Sequence, residues 1–276
     1  MITTVLGAIE MRRRTTLTGL TVFLASLRAT NPDVRLVLFN ASPTHADLGR
    51  LLARFGVESI AMGAFARTHG IAPDLEIEIS RFLCYFHWLA EHPIGAAVLA
   101  DVLDVCWQGP LPTLTAHGIT VFQEHVIAAE CPYNSKWIRE VWPDTYPDLE
   151  FNPVICCGVI MGYISGIGVQ TYLAAYASEV AKRRHIKRGF DSAVLAGFAH
   201  AHTRVVNVQP YLNQTCMHLG YADPLTVQFD EDRVHLVAHV GGKGGSSASV
   251  AWYTPAIVHQ YNRHAVTKEI YKRWST

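Results

Sequence analysis

The chain has 276 residues, half of them hydrophobic and 17% charged, with 23 Lys and Arg balancing 23 Asp and Glu. That composition excludes a disordered chain, and a formal net charge of zero gives no bulk electrostatic reason to bind nucleic acid or an anionic membrane. No apolar run reaches the roughly 18 residues that a membrane-spanning helix needs. Six cysteines are present without a C-x-x-C pair, which points to buried free thiols in a reducing compartment, and so to the cytoplasm.

The first hundred residues alternate strand and helix signals. Thr3 to Ile9 is a buried-strand run, and Thr15 to Ala29 carries helical apolar spacing at Leu17, Leu20, Phe23, Leu24 and Leu27. Arg12-Arg13-Arg14 before this stretch gives the layout of a signal peptide, but the preceding strand and the following turn at Asn31-Pro32-Asp33 favour strand, helix, turn. Val34 to Phe39 predicts a second strand. His45 to Phe55 predicts a helix with Leu48, Leu51, Leu52 and Phe55 on one face, and Val57 to Ala61 a third strand. Ile77 to Glu91 predicts a helix and Ala96 to Ala100 a strand. This rhythm predicts an α/β fold with a mostly parallel central sheet and right-handed crossovers.

Beyond Asp104 the rhythm loosens. Gly109-Pro110-Leu111-Pro112 breaks the chain, and residues 131–153, rich in proline and aromatics, predict an irregular loop. Val154 to Met161 is strand-like. Gln170 to Arg184 and Phe190 to Ala201 are helical. Short strands are expected at Val205 to Val208, Val234 to Val240, Val250 to Trp252 and Ile257 to His259, with a closing helix from Val266 to Trp274. No linker divides the chain, so residues 1–276 are expected to form one domain.

In an open α/β sheet, ligands bind outside the carboxyl ends of the strands. That directs attention to Gly7-Ala8, Asn40 and, above all, Asp101-Val102-Leu103-Asp104. Residues three apart on a continuing strand face opposite sides, so Asp101 and Asp104 converge only if the chain turns after Ala100. Converged, they suit a hard divalent cation such as Mg²⁺ or Mn²⁺; otherwise they are solvated or capping aspartates. Gly241-Gly242-Lys243-Gly244-Gly245 lacks the P-loop pattern and reads as a glycine loop, with Lys243 a candidate to close over a diphosphate. Tyr133, Trp137, Trp142 and Tyr146 crowd one segment, either as packing or as faces for a sugar ring. His200, His202, His235 and His239 have no matching third ligand and read as structural.

Several segments resemble, in order, a group of GT-A glycosyltransferases. They are RFLCYFHWLAEHPIGAAVLADVLDVCWQGPL, FQEH at 122–125, VICCGVIMGYISGIGVQTYL, GFDSAVLAGFAH and the closing IVHQYNRH. Together they span about residues 77 to 265. The sequence departs from the group in having D-x-x-D for D-x-D, Ser192 for a glutamine and Asn262 for an aspartate.

The resemblance implies a GT-A, Rossmann-like sheet flanked by helices, with an irregular acceptor side. Residues 1–108 would bind the nucleotide sugar and 109–276 the acceptor. It implies transfer from a nucleotide sugar, UDP-linked by preference, to the hydroxyl of a glycan or small-molecule acceptor, assisted by Mn²⁺ or Mg²⁺. Asp104 would be the first metal ligand, Asp101 would share the ion or hold the ribose, and His259 would be a third ligand. Arg81 would pair with the diphosphate, and Gly7, Ala8, Asp101, Val102, Leu103 and Lys243 would complete the nucleotide-sugar site. Asp191 would act on sugar or acceptor as a general base, with Glu124 its rival. A nucleotidyltransferase of related fold and a non-catalytic nucleotide-sugar-binding protein are the competing readings.

Overall fold

A computed structural model describes the chain except residues 1–2, 12–14, 94, 115–117, 167, 184, 214, 221–226, 231–232, 241–248 and 275–276. The first half runs β1 (Thr3–Ile9), α1 (Thr15–Thr30), β2 (Arg35–Asn40), α2 (Ala46–Arg54), β3 (Glu58–Ala61), α3 (Met62–Thr68), α4 (Ile77–Glu91) and β4 (Ala96–Ala100). There follow β5 (Val105–Trp107), β6 (Ile119–Ile127), α5 (Pro132–Val141), α6 (Tyr146–Leu149), β7 (Pro153–Tyr163), α7 (Val169–Ala181) and α8 (Phe190–Ala201). The chain closes with β8 (Val206–Gln209), β9 (Cys216–His218), β10 (Val227–Asp230), β11 (Arg233–Val240), β12 (Ser249–Tyr253), β13 (Ile257–His259) and α9 (Thr267–Trp274).

Seven strands form the central sheet in the order β3-β2-β1-β4-β7-β6-β8. All run one way except β7, which is antiparallel to both neighbours. The sheet is therefore mostly parallel, with one reversed strand in its middle. Every residue of β4 is buried, as expected of a strand covered on both faces. Alternation divides the core. Leu6, Val37 and Leu99 face Phe82, Tyr85, Tyr172 and Tyr176 of α4 and α7. Val5, Leu38 and Val98 face Leu20, Phe23 and Leu24 of α1, with Trp107.

Residues 131–153, expected as an irregular loop, instead contain α5 and α6. Pro132 opens α5 at a position where its missing N–H costs nothing, and the Cys131 thiol caps it by accepting from Asn134 N. Cysteine is an unusual cap, so the start signal is absent from the sequence pattern.

A second, three-stranded sheet, β5-β13-β9, positions the functional residues. Each of its strands is three residues long and all nine residues are buried. Its register sets His259 opposite Val105 on one side and His218 on the other. Strands β10, β11 and β12 form a separate antiparallel meander.

Candidate active site

The chain does turn after Ala100. Asp101 N donates to the Gly158 carbonyl of β7 at 2.8 Å, residues 102–104 bend away, and β5 starts at Val105. Because β5 pairs with β13, His259 is carried beside both aspartates. Its Nε2 lies 3.5 Å from Asp101 Oδ2 and 3.4 Å from Asp104 Oδ1. Gly158 makes room: a Cβ there would lie 2.0 Å from His259 Cε1. The next residue, Gln260, takes φ +59°, rare for a side-chain-bearing residue, and is fixed there by Gln260 N donating to the Asp104 carbonyl at 2.8 Å.

Two carboxylates and an imidazole nitrogen thus face one point, each ligand atom within 4.8 Å of the others. His259 is 2% exposed, yet its Nε2 has no partner in hydrogen-bond geometry among the described residues; the carboxylates stand only at ion-pair range. An orphaned buried nitrogen facing two carboxylates fits a divalent cation that accepts oxygen and imidazole ligands, such as Mn²⁺ or Mg²⁺. Without one, burial pushes the His259 pKa down, but Asp104 and Asp101 outweigh it and raise it to about 9. Burial also works against ionised Asp101, and Arg81 and His259 together overcome it, holding the carboxyl below the usual carboxylate range.

Arg81, on α4, is 12% exposed and ion-pairs with Asp101 and, at 3.2 Å, with Asp191 Oδ2. Its guanidinium, which the resemblance sets against a diphosphate, lies between the two carboxylates and lines the cleft. Asp191 sits in the first turn of α8 after Gly189, which has φ +87° and packs on the Trp137 ring. Asp191 also contacts Cys157 Sγ at 3.3 Å. Burial raises the Asp191 pKa and the charge of Arg81 only partly offsets this. Buried Glu124, near the end of β6, accepts from Gln260 Nε2 at 3.2 Å.

These groups line one cleft of about 530 Å³. Asp101, Asp104, His259, Arg81, Asp191 and Glu124 all reach it, as do Ala8, Val102 and Leu103. Gly7 does not line it: Gly7 lies beneath Val102, whose Cγ1 would be 2.3 Å from an added Cβ. Lys243 lies outside the described residues. The aromatic cluster divides. Tyr133, 63% exposed, and Trp137 line the cleft, whereas Trp142 donates from Nε1 to the Ala193 carbonyl and Tyr146 meets Ser135 inside the core. His200, His202 and His235 do not line the cleft.

Three contributors escaped sequence reasoning. Cys156 and Cys157 bring their thiols to His259 and Asp191, and their adjacency before Gly158 was their only signal. His218, whose Nδ1 lies 2.8 Å from His259 Nδ1, carries no local signal. Burial and the charge of His259 push its pKa far down, so it is neutral.

No protein-family model and no curated protein matches the chain. Among solved structures it is similar to the galactosyltransferase LgtC in complex with donor and acceptor sugar analogs, at 12% identity over 79% of this chain and 77% of that one, TM-score 0.46. An active-site mutant of LgtC is similar at 12% identity over 93% and 86%, TM-score 0.49. So is glucosyl-3-phosphoglycerate synthase from Mycobacterium tuberculosis in complex with Mn²⁺, UDP and glucosyl-3-phosphoglycerate, at 12% identity over 76% and 69%, TM-score 0.45. Likeness at this level transfers no activity, and the reading of the site rests on its own geometry.

Proposed function

We propose that the protein is a metal-dependent glycosyltransferase of GT-A type, moving a sugar from a nucleotide sugar, UDP-linked by preference, to a hydroxyl acceptor. The observation that carries this is the convergence of Asp101, Asp104 and His259 at the carboxyl end of β4, in a cleft that also holds two further buried carboxylates. A divalent cation held by these three residues, Mn²⁺ by preference, would neutralise the charge that grows on a departing nucleoside diphosphate.

The chain's own residues supply the rest. Arg81 keeps Asp101 ionised and fixes the position of Asp191. Asp191, with its raised pKa, serves as the base or hydrogen-bond partner for the reacting hydroxyl, and Glu124 stands by as a rival. Ala8, Val102 and Leu103 frame the nucleotide, with Gly7 supporting Val102 from below. Lys243 is retained as a candidate to close over the diphosphate. Tyr133 and Trp137 offer faces to an acceptor sugar. On this reading residues 1–108 serve the donor and 109–276 the acceptor within one domain, though His259 crosses that division to complete the metal site. No described helix is long and apolar enough to cross a membrane, and six free cysteines support a cytoplasmic setting.

Incubation with a UDP-sugar, an acceptor and Mn²⁺ tests the proposal. UDP release that EDTA abolishes is expected. Pyrophosphate release from a nucleoside triphosphate and a sugar phosphate would mean a nucleotidyltransferase instead, and binding without turnover a non-catalytic protein.

A further inference from the structure

His218 and His259 meet end to end below the cleft floor. The β9–β13 register sets them side by side, and their Nδ1 atoms are 2.8 Å apart with ring planes at 81°. The ring centroids are 5.0 Å apart, close to the largest separation that the nitrogen contact and the reach of each ring allow. The two nitrogens therefore lie close to the line joining the rings, which is the geometry of a single N–H···N hydrogen bond. It is not the geometry of joint chelation: although Cys156 Sγ is 3.5 Å from His259 Nδ1, two lone pairs pointing at each other do not converge on a third point.

Only one proton fits between these nitrogens. If His218 holds it, a neutral His259 must carry its own proton on Nε2, pointing at Asp101 and Asp104 with no lone pair to offer. If His259 holds it, the Nε2 lone pair faces the carboxylates.

We propose that His218 is a positioning residue that accepts the Nδ1 proton of His259 and thereby aims the His259 Nε2 lone pair at the cation site. This rests on the cation-site reading given above. Two contacts accommodate this orientation. Cys156 Sγ, 3.5 Å from the same Nδ1, is in reach to share its N–H. Gly158 seats the His259 ring against β7 so that Nε2 and Nδ1 keep their separate faces. The arrangement orients a ligand through its second nitrogen, as outer partners of metal-bound histidines commonly do.

The test compares Mn²⁺ affinity, read as free Mn²⁺ by electron paramagnetic resonance, in the wild type, His218→Asn and His218→Phe. Asparagine keeps an acceptor near the place of Nδ1, and phenylalanine keeps the ring without it. His218→Phe is expected to weaken Mn²⁺ binding by about 10- to 100-fold, the usual cost of losing such a partner, and His218→Asn to restore most of it. Nitrogen-15 shifts of the Mg²⁺-loaded wild type should show His259 protonated at Nδ1, and this measurement decides alone if His218→Phe does not fold. Wild-type affinity in a folded His218→Phe, or a His259 protonated only at Nε2, would overturn the proposal. A wild type that binds no Mn²⁺ would instead overturn the cation site itself, and this inference with it.

Discussion

Asp101 and Asp191 lie at the two ends of one buried guanidinium, and their surroundings drive them in opposite directions. Both are buried enough for desolvation to oppose ionisation. At Asp101 the charges of Arg81 and His259 win and hold the carboxyl ionised. At Asp191 burial wins against the same arginine, and the other partners are the Cys157 thiol and the Ser192 backbone N–H. One carboxyl therefore stays ionised beside His259, and the other is raised above its ordinary value. Two carboxylates with environments that separate their pKa values mark separate roles.

The largest effect is expected at the ionised end. Asp104→Ala should abolish Mn²⁺-dependent UDP binding, followed by calorimetry, while the circular dichroism spectrum stays native, because Asp104 sits beyond β4 rather than in the core. Persistence of Mn²⁺-dependent binding would remove Asp104 from the cation site.

At the other end, Asp191→Asn preserves shape and removes basicity. Turnover should fall about 100-fold or more, the usual scale for a positioned general base, with donor affinity little changed. A variant with near-normal kcat would move the role to Glu124.

Gly158→Ala touches the His259 end alone. The added Cβ would intrude on His259, so Mn²⁺ affinity should drop about tenfold or more, on the scale of a disturbed ligand orientation, with the acceptor KM unaffected. Equal losses for metal and acceptor would mean that the two ends are not separable.

A smaller effect is set by pH. The His259 pKa is raised from 6.5 to about 9 in the folded, metal-free protein. A raised pKa contributes stability that is fully present below the unfolded value and lost as pH climbs through the folded one. The melting temperature of EDTA-treated protein should therefore decline between about pH 6.5 and 9, and His259→Gln should flatten that decline. A decline of equal size in His259→Gln would assign it to other groups.

The smallest effect belongs to Tyr133, the exposed aromatic on the open side. Tyr133→Ala should raise the acceptor KM by a few-fold and leave UDP binding alone. A change in UDP affinity would place that ring on the donor side.

Much of this arrangement was legible in the sequence. The run from β1 to β4 was readable because strands covered on both faces are continuous apolar runs separated by amphipathic helices. The bounds of α4, α8 and β13 fell where the pattern ended. Asp101 and Asp104 stood out as carboxylates directly after a buried strand. The reversed direction of β7 was not legible, since a buried strand's apolar run is the same whichever way it points. Helix α5 was hidden by its cysteine cap. Strands β5 and β9 are too short to show a period, so the sheet that joins Val105, His259 and His218 could be found only through long-range pairing. For that reason His259 was reachable through resemblance and His218 not at all. The cluster Tyr133 to Tyr146 was seen as a group, but only the fold could separate the cleft-lining Tyr133 and Trp137 from the half-buried Trp142 and the buried Tyr146.

The most direct test is a crystal structure of the protein with Mn²⁺ and UDP. One ion is expected, bound by His259 Nε2 at no more than about 2.5 Å and by carboxylate oxygens of Asp101 and Asp104. An ion bound elsewhere, or a His259 ring still facing its two aspartates with no metal between them, would contradict it.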